Sequence, residues 1–290
     1  MDRIAPLRDV TDAEIEAFWR DGVVCLRSIL PASLLDSMVQ PVEDALVSTA
    51  MADLSEMGDA LASGGVTRVV DGAVDGAEVP RGHFKGGTDH WLQQSEFLEF
   101  AVHSPLPAIV SALLRSSTVR LYEDSVLVKE PGTQERTAFH QDLAYFHLAG
   151  DQICTTWVPL DSVSADTGAV RFVVGSHLDR TEYRPNLFVT TMSLPGTEGA
   201  EVPDYDEMKG EARIISFDTE PGDLTVHHAR TIHGANGNAS ATRRRRAISV
   251  RYTGDDARFM TRIGAPTKSH HSEMRDGDEL TVECFPAAWP

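Results

Sequence analysis

Cysteine is scarce: three residues in 290, and Cys25, Cys154 and Cys284 lie too far apart for a Cys-x-x-Cys metal knuckle. An odd, scattered set builds no disulfide framework and fits a reducing compartment. Long apolar runs are lacking too, none approaching the ~20 residues that span a bilayer. The opening stretch Met1-Asp-Arg-Ile-Ala-Pro6 has no apolar core of the signal-peptide kind, so a cytoplasmic location is expected. Basic residues are in short supply, 26 Lys and Arg against 44 Asp and Glu, for a formal charge of −18. A field of that sign repels polyphosphate, which makes nucleic acid and anionic membranes poor partners. The composition is otherwise ordinary, 41% hydrophobic and 24% charged, which excludes disorder as the dominant state. A prior of ~150 residues per domain suggests two domains, but all-β folds of ~200–250 residues often form one.

The first part, 1–117, reads as a mostly helical flank. Thr11-Asp-Ala-Glu14 is a capping box before Ile15, Phe18 and Trp19, and Gly22 stands where that helix should stop. Val23–Leu30 is rich in β-branched residues and reads as a strand. Ser33 opens an amphipathic helix, and Ser95–Leu114 is helical again around the Ser104-Pro-Leu-Pro107 turn. Met51–Gly82, rich in Gly, Ala and Asp, reads as a loop or lid. From Thr118 the grammar changes to short β-rich runs: Val119–Tyr122, Val126–Lys129, Ile153–Leu160, Ala169–Val174, Phe188–Met192, Ala212–Ser216, Asp223–His227 and Arg245–Tyr252. Gly-containing turns separate them, as in a sandwich or barrel. The expectation is a single domain over 1–290, mainly β (α+β). Its core at 118–252 is a jelly roll, a cupin-like double-stranded β-helix, with flanking N-terminal helices and a tail at 253–290.

Phe139-His140-Gln-Asp142 sets an imidazole and a carboxylate two residues apart at a strand end, where period-2 geometry points both to one face. That is two-thirds of a 2-His-1-carboxylate facial triad, whose remaining positions on iron stay open. A third ligand must come from another strand. The segment from His227 to Tyr252 offers His227, His228 and His233, followed by arginines that open a strand. A facial Fe(II) chelated by the keto-acid end of a dicarboxylate needs such a guanidinium for the far carboxylate.

These segments resemble the phytanoyl-CoA dioxygenase family of non-heme Fe(II)/2-oxoglutarate oxygenases. The matching stretches are Phe84-Lys-Gly-Gly-Thr-Asp-His-Trp91, Leu127-Val-Lys-Glu-Pro-Gly132, His140-Gln-Asp-Leu-Ala-Tyr-Phe146, Trp157-Val-Pro-Leu-Asp161, Gly168-Ala-Val-Arg-Phe-Val-Val-Gly-Ser-His177, Pro221-Gly-Asp223 and the run from His233 to Ser249. The resemblance implies His140, Asp142 and His233 as iron ligands, with O2 as further cosubstrate. It leaves the 2-oxoglutarate anchor at Arg245, by alignment on Ala247-Ile-Ser249, or at Arg244, by counting from His233. Gln141, Trp157 and Lys85 would lie near 2-oxoglutarate, and Phe84, Trp91, Tyr145 and His177 near the substrate. Halogenating relatives replace the carboxylate ligand with a small residue. Asp142 is retained here, so the resemblance implies hydroxylation of a C–H bond in a small organic molecule such as a secondary metabolite. Succinate and CO2 would be released. Desaturation, cyclisation, epimerisation or an acyl-CoA substrate would use the same ligands. A jelly-roll binding module without catalysis and a zinc hydrolase are the rivals of another class.

Several residues have blander readings. His227 and His228 read as histidines hydrogen-bonded beside the site or in the core. His177 reads equally as the cap of a strand-end turn. Phe84 and Trp91 read as core aromatics, and His83, His90 and His147 as solvated surface residues. His270-His271 points to opposite faces of a strand, so no metal pair is expected. Among Arg243–Arg246, one arginine should face inward and the others solvent. The acidic run Glu198–Glu211 reads as a solubilising face, and with Met51–Gly82 the stretch 179–211 is expected to set specificity.

Overall fold

The computed structural model describes residues 3–67, 69–70, 80–208, 210 and 212–290. Thr11 opens helix α1 (Asp12–Asp21): its hydroxyl accepts from the Glu14 N–H, and the Glu14 carboxylate accepts from the Thr11 N–H. Gly22 ends the helix at φ 81°, a left-handed conformation that glycine adopts without a Cβ penalty. Strand β1 (Val23–Leu26) and helix α2 (Ala32–Ala45) follow. The expected loop after Met51 is instead strand β2 (Met51–Asp53) and helix α3 (Leu54–Ser63). Asp53 nucleates that helix, its carboxylate accepting from the Ser55 and Glu56 N–H groups. Residues 68 and 71–79 of the expected lid lie outside the described residues. Strand β3 (Phe84–Thr88) and helices α4 (Ser95–His103) and α5 (Leu106–Leu114) complete the first part, so the flank also contributes three strands.

The remaining strands are β4 (Val119–Lys129), β5 (Thr137–His140), β6 (Leu148–Ala149), β7 (Ile153–Pro159), β8 (Val170–Val173), β9 (Ile214–Ser216), β10 (Leu224–His228), β11 (His233–Ala235), β12 (Arg245–Thr253), β13 (Arg258–Phe259) and β14 (Ala287–Trp289). Among the described residues the larger sheet runs β1-β10-β7-β12-β4-β3-β2 with β14 on β4, and the smaller runs β5-β11-β8-β9. Antiparallel pairing throughout gives the expected mainly-β jelly-roll architecture, a double-stranded β-helix with helices on its outer face.

Side-chain parity divides the larger sheet. On β12, Ile248, Val250 and Tyr252 pack with Phe97, Phe100, Ile109 and Leu113 of the helices, whereas Arg245, Ser249 and Arg251 face the interior cavity. Each fully buried apolar side chain contributes roughly 1.5–3 kcal/mol, so the sheet's outer face anchors the helices and its inner face is free for polar groups. No single helix among the described residues is long and apolar enough to cross a membrane. Helices α4 and α5 pass that test only as a pair bent by 44°, and their apolar faces are spent on this core.

Three further expectations change. Val119–Tyr122 and Val126–Lys129 are one strand, because the polar residues between them are inward-facing or capping groups rather than a turn. Phe188–Met192 is not a strand: Phe188 sits at φ 64°, which breaks an extended run. The tail at 253–290 is integral, with β14 paired to β4 and Phe285 buried beside Tyr122.

Candidate metal centre and cosubstrate pocket

His140 ends β5 and His233 begins β11, and the two are direct cross-strand partners. Asp142 opens the short 3-10 turn after β5, which turns its carboxylate back between them. Nitrogen and oxygen atoms of His140, Asp142 and His233 lie within 4.8 Å of one another, and all three residues are buried. His140 Nδ1 donates to the Ala138 carbonyl at 2.8 Å and His233 Nδ1 to the Thr231 carbonyl at 2.9 Å, so each ring offers Nε2 to the centre. The Nε2 atoms lie 3.5 and 3.7 Å from Asp142 Oδ1. Oδ2 is held from the other side by the Thr155 hydroxyl at 2.5 Å and by His227 Nε2 at 3.2 Å. One carboxylate oxygen therefore faces the metal position while the other is fixed by protein. His227 is consumed in that contact. His228 packs away from the centre against Phe18, Trp19 and His177.

Protonation suits metal binding. Burial, reinforced by the neighbouring His227 and His140, pushes the His233 imidazole well below its usual range, leaving it neutral. Burial opposes charge on Asp142, yet His233 and the bonds from His140 and His227 hold its carboxyl well below the ordinary carboxylate range. Two imidazoles and one carboxylate on a single face are the donor set of non-heme Fe(II) oxygenases.

A narrow inner chamber of about 40 Å³ leads from this cluster to Arg245. Arg245 is 2% exposed, its Nε has no partner, and among the described residues no carboxylate lies within ion-pair distance. Its guanidinium sits 5.7 Å from the Trp157 ring centroid. Burial lowers its pKa to about 10, so it stays a cation at neutral pH. An unpaired buried cation is costly unless a ligand completes it, which marks Arg245 as a candidate anion site. Arg244 points the other way, bonded to Glu43 at 2.8 Å and Glu130 at 2.9 Å. Arg243 pairs with Asp166, and Arg246 with Asp161 and Glu43.

An outer chamber of about 440 Å³ shares Leu127, His140, Asp142, Phe188 and Arg251 with the inner one. Tyr145 lines it, its hydroxyl bonded to Asn186. Trp157 lines the inner chamber, whereas the remaining expected contacts, Gln141, Lys85, Phe84, Trp91 and His177, line neither. Gln141 donates to the Arg230 carbonyl at 2.8 Å. Phe84 is core, 6.1 Å from the Phe188 ring, and Lys85 lies on the same strand outside the walls. Trp91 packs edge-on against His270, and His177 bonds the Trp19 carbonyl. His83 is exposed and bonded to Asp53, but His90 and His147 are buried, the first against Phe97 and the second bonded to the Pro266 carbonyl. Sequence reasoning missed Thr155, Glu123, Arg251 and Lys268. Arg251 shares Arg245's parity on one strand, a readable signal; Lys268 had none.

Three metal donors beside a buried, unpaired cation in a jelly roll are the layout of a candidate metal centre with an adjoining anion site. The chain belongs to the phytanoyl-CoA dioxygenase (PhyH) family, whose model matches residues 18–247. A probable alpha-ketoglutarate-dependent hypophosphite dioxygenase from Stutzerimonas stutzeri is 31% identical over 144 residues; that match spans 48% of this chain and 46% of the relative. The carbocyclase SnoK from nogalamycin biosynthesis superposes with a TM-score of 0.68 at 24% identity over 96% of both chains. EctD from S. alaskensis, solved with 2-oxoglutarate and 5-hydroxyectoine, gives 0.61 at 17% identity over 97% of this chain and 89% of its own.

Proposed function

We propose that this chain is an Fe(II)- and 2-oxoglutarate-dependent oxygenase that hydroxylates a C–H bond of a small organic molecule. The observation that carries the reading is Arg245: a fully buried guanidinium, without a carboxylate partner among the described residues, lining the same chamber as the His140–Asp142–His233 cluster. A zinc hydrolase would use the same three donors but has no need of that cation.

In this reading His140, His233 and Asp142 Oδ1 hold Fe(II). Arg245, with Trp157 beside it, receives the far carboxylate of 2-oxoglutarate and fixes its direction of approach. The bound metal and cosubstrate supply the oxidation, with O2 consumed and succinate and CO2 released. Thr155 and His227 keep the Asp142 carboxylate from turning. Tyr145, Phe188 and Leu127 form the walls that exclude water where the substrate C–H is presented, and the hydrogen nearest the metal decides the outcome. The outer chamber is far larger than hypophosphite, which the relative's name gives as its substrate, and its apolar walls suit an organic skeleton.

The test is an anaerobic titration of metal-free protein with Fe(II) and 2-oxoglutarate, watching the visible charge-transfer band of the chelate. The band is expected in the parent and lost in His140→Ala and His233→Ala. Well-folded parent protein that gives no band would overturn the reading.

A further inference from the structure

Pairing across the larger sheet sets four inward-facing residues in one row: His227 opposite Thr155, Thr155 opposite Arg251, and Arg251 opposite Glu123. The row starts at the Asp142 carboxylate and ends in the outer chamber, where Lys268 from the C-terminal segment donates to Glu123 and to Asp89, each at 2.5 Å. The charges alternate along this chain. Lys268 has two carboxylates and Glu123 two cations, whereas Arg251, the next charged residue along the row toward Asp142, is under-partnered. Its Nη1 donates to Ser125 Oγ at 2.5 Å and lies 3.5 Å from Glu123 Oε1, while Nε is buried with no partner. Arg251 is 9% exposed and lines both chambers. The rest of the outer chamber is largely apolar or small: Ala50, Leu54, Gly86, Phe146 and Phe188.

We propose that Arg251 is a substrate-binding residue and that the outer chamber takes an organic anion, a molecule with a carboxylate at one end and an uncharged apolar body. The proposal rests on the oxygenase reading for its site. The carboxylate pairs with the chamber-lining guanidinium, and Glu123 keeps its closer contact with Lys268. The apolar body then lies along Phe188 and Leu54, which directs the adjoining carbons toward the metal position. A carboxylate gains a charge-assisted bond there. An ammonium would meet Arg251 at the end of the row that faces the metal, where like charges repel.

The test uses benzoate, benzamide and benzylamine as probes. Each is titrated under nitrogen into protein loaded with Fe(II) and 2-oxoglutarate, following the charge-transfer band, and separately into metal-free protein by ligand-observed NMR. Benzoate is expected to bind with a Kd on the order of 1 mM, as suits so small a ligand. Benzamide should bind more weakly and benzylamine not at all. Arg251→Gln should weaken benzoate at least about tenfold, and Arg251→Lys, which keeps the charge without the fork, should fall between; thermal melting checks that both variants are folded. Binding of benzylamine in preference to benzoate, equal benzoate binding by Arg251→Gln, or no benzoate binding in either format would overturn the proposal. So would loss of 2-oxoglutarate affinity in Arg251→Gln with benzoate binding intact, which would assign the guanidinium to the cosubstrate. A missing band with benzoate binding retained in the NMR format would sink the oxygenase reading and leave the anion site standing.

Discussion

His140 and His233 occupy a single register position across β5 and β11, with ring centroids 4.3 Å apart. The candidate metal centre is thus a property of strand pairing: a one-residue slip would turn one imidazole to the opposite face. Register is protected by Gly234, where an added Cβ would lie 2.8 Å from the Thr137 carbonyl oxygen.

Gly234→Ala should therefore force β11 away from β5. The expected outcome is a loss of stability of about 1–3 kcal/mol and a weaker metal site, read as a lower Tm together with a raised Kd for Co(II). Parent-like values for both would show that the ladder can absorb the methyl group.

The Asp142 carboxylate is fixed from behind by Thr155 and His227. Thr155→Val and His227→Gln should each lower metal affinity by about 10- to 100-fold while leaving the ligand set unchanged. Co(II) absorption reports both quantities. A spectrum in His227→Gln that has lost a nitrogen donor would make His227, and not His233, the distal ligand.

Arg245→Gln and Arg244→Gln should separate cleanly. Removing the partner of a buried carboxylate costs roughly 2–5 kcal/mol, so Arg245→Gln should raise the Kd for 2-oxoglutarate by at least about thirtyfold. Arg244 makes half-exposed ion pairs with Glu43 and Glu130, worth about 0–1 kcal/mol of stability, and its loss should leave 2-oxoglutarate binding unaltered. Equilibrium titration of the chelate band distinguishes the two; the reverse pattern would mean that β12 presents its other face.

Stability should fall on mild acidification. Burial, the main cause in each case, pushes the His228 and His271 imidazoles down to about 3. In the unfolded chain both titrate near ~6.5. Below that pH the unfolded state binds protons that the native state refuses, so this stability is complete above ~6.5 and is lost progressively toward pH ~3. The slope reaches ~1.4 kcal/mol per pH unit for each histidine. Metal-free protein should melt several degrees lower at pH ~5 than at pH ~7.5. His271→Phe should flatten the slope, because that ring sits among Tyr122, Phe259 and Phe285 with neither nitrogen bonded. An unchanged slope would place the titrating group elsewhere.

Local signals in the sequence located much of the framework. The Thr11–Glu14 capping box and Gly22 bounded α1, and β-rich runs between turn residues located β7, β10 and β12 to within a residue or two at their ends. Polar residues misled where they served tertiary purposes. Glu123-Asp124-Ser125 looked like a break in β4, yet Ser125 and Glu123 line the outer chamber and Asp124 accepts from the Trp91 N–H. A resemblance between short segments says little about where a side chain points, which is why Gln141 and His177 are expected near the site although their side chains bond backbone carbonyls elsewhere.

The sequence by itself determined the donor types, His140 and Asp142 at one strand end and a histidine ahead of an arginine-led strand at another, because side-chain chemistry and period-2 alternation are local properties. Only the tertiary structure decided that His233 rather than His227 faces the centre, that Arg245 turns inward while Arg244 meets Glu43, and that Lys268 reaches Glu123. Those choices depend on which face of each strand the cross-strand pairing buries, and pairing is a relation between segments distant along the chain.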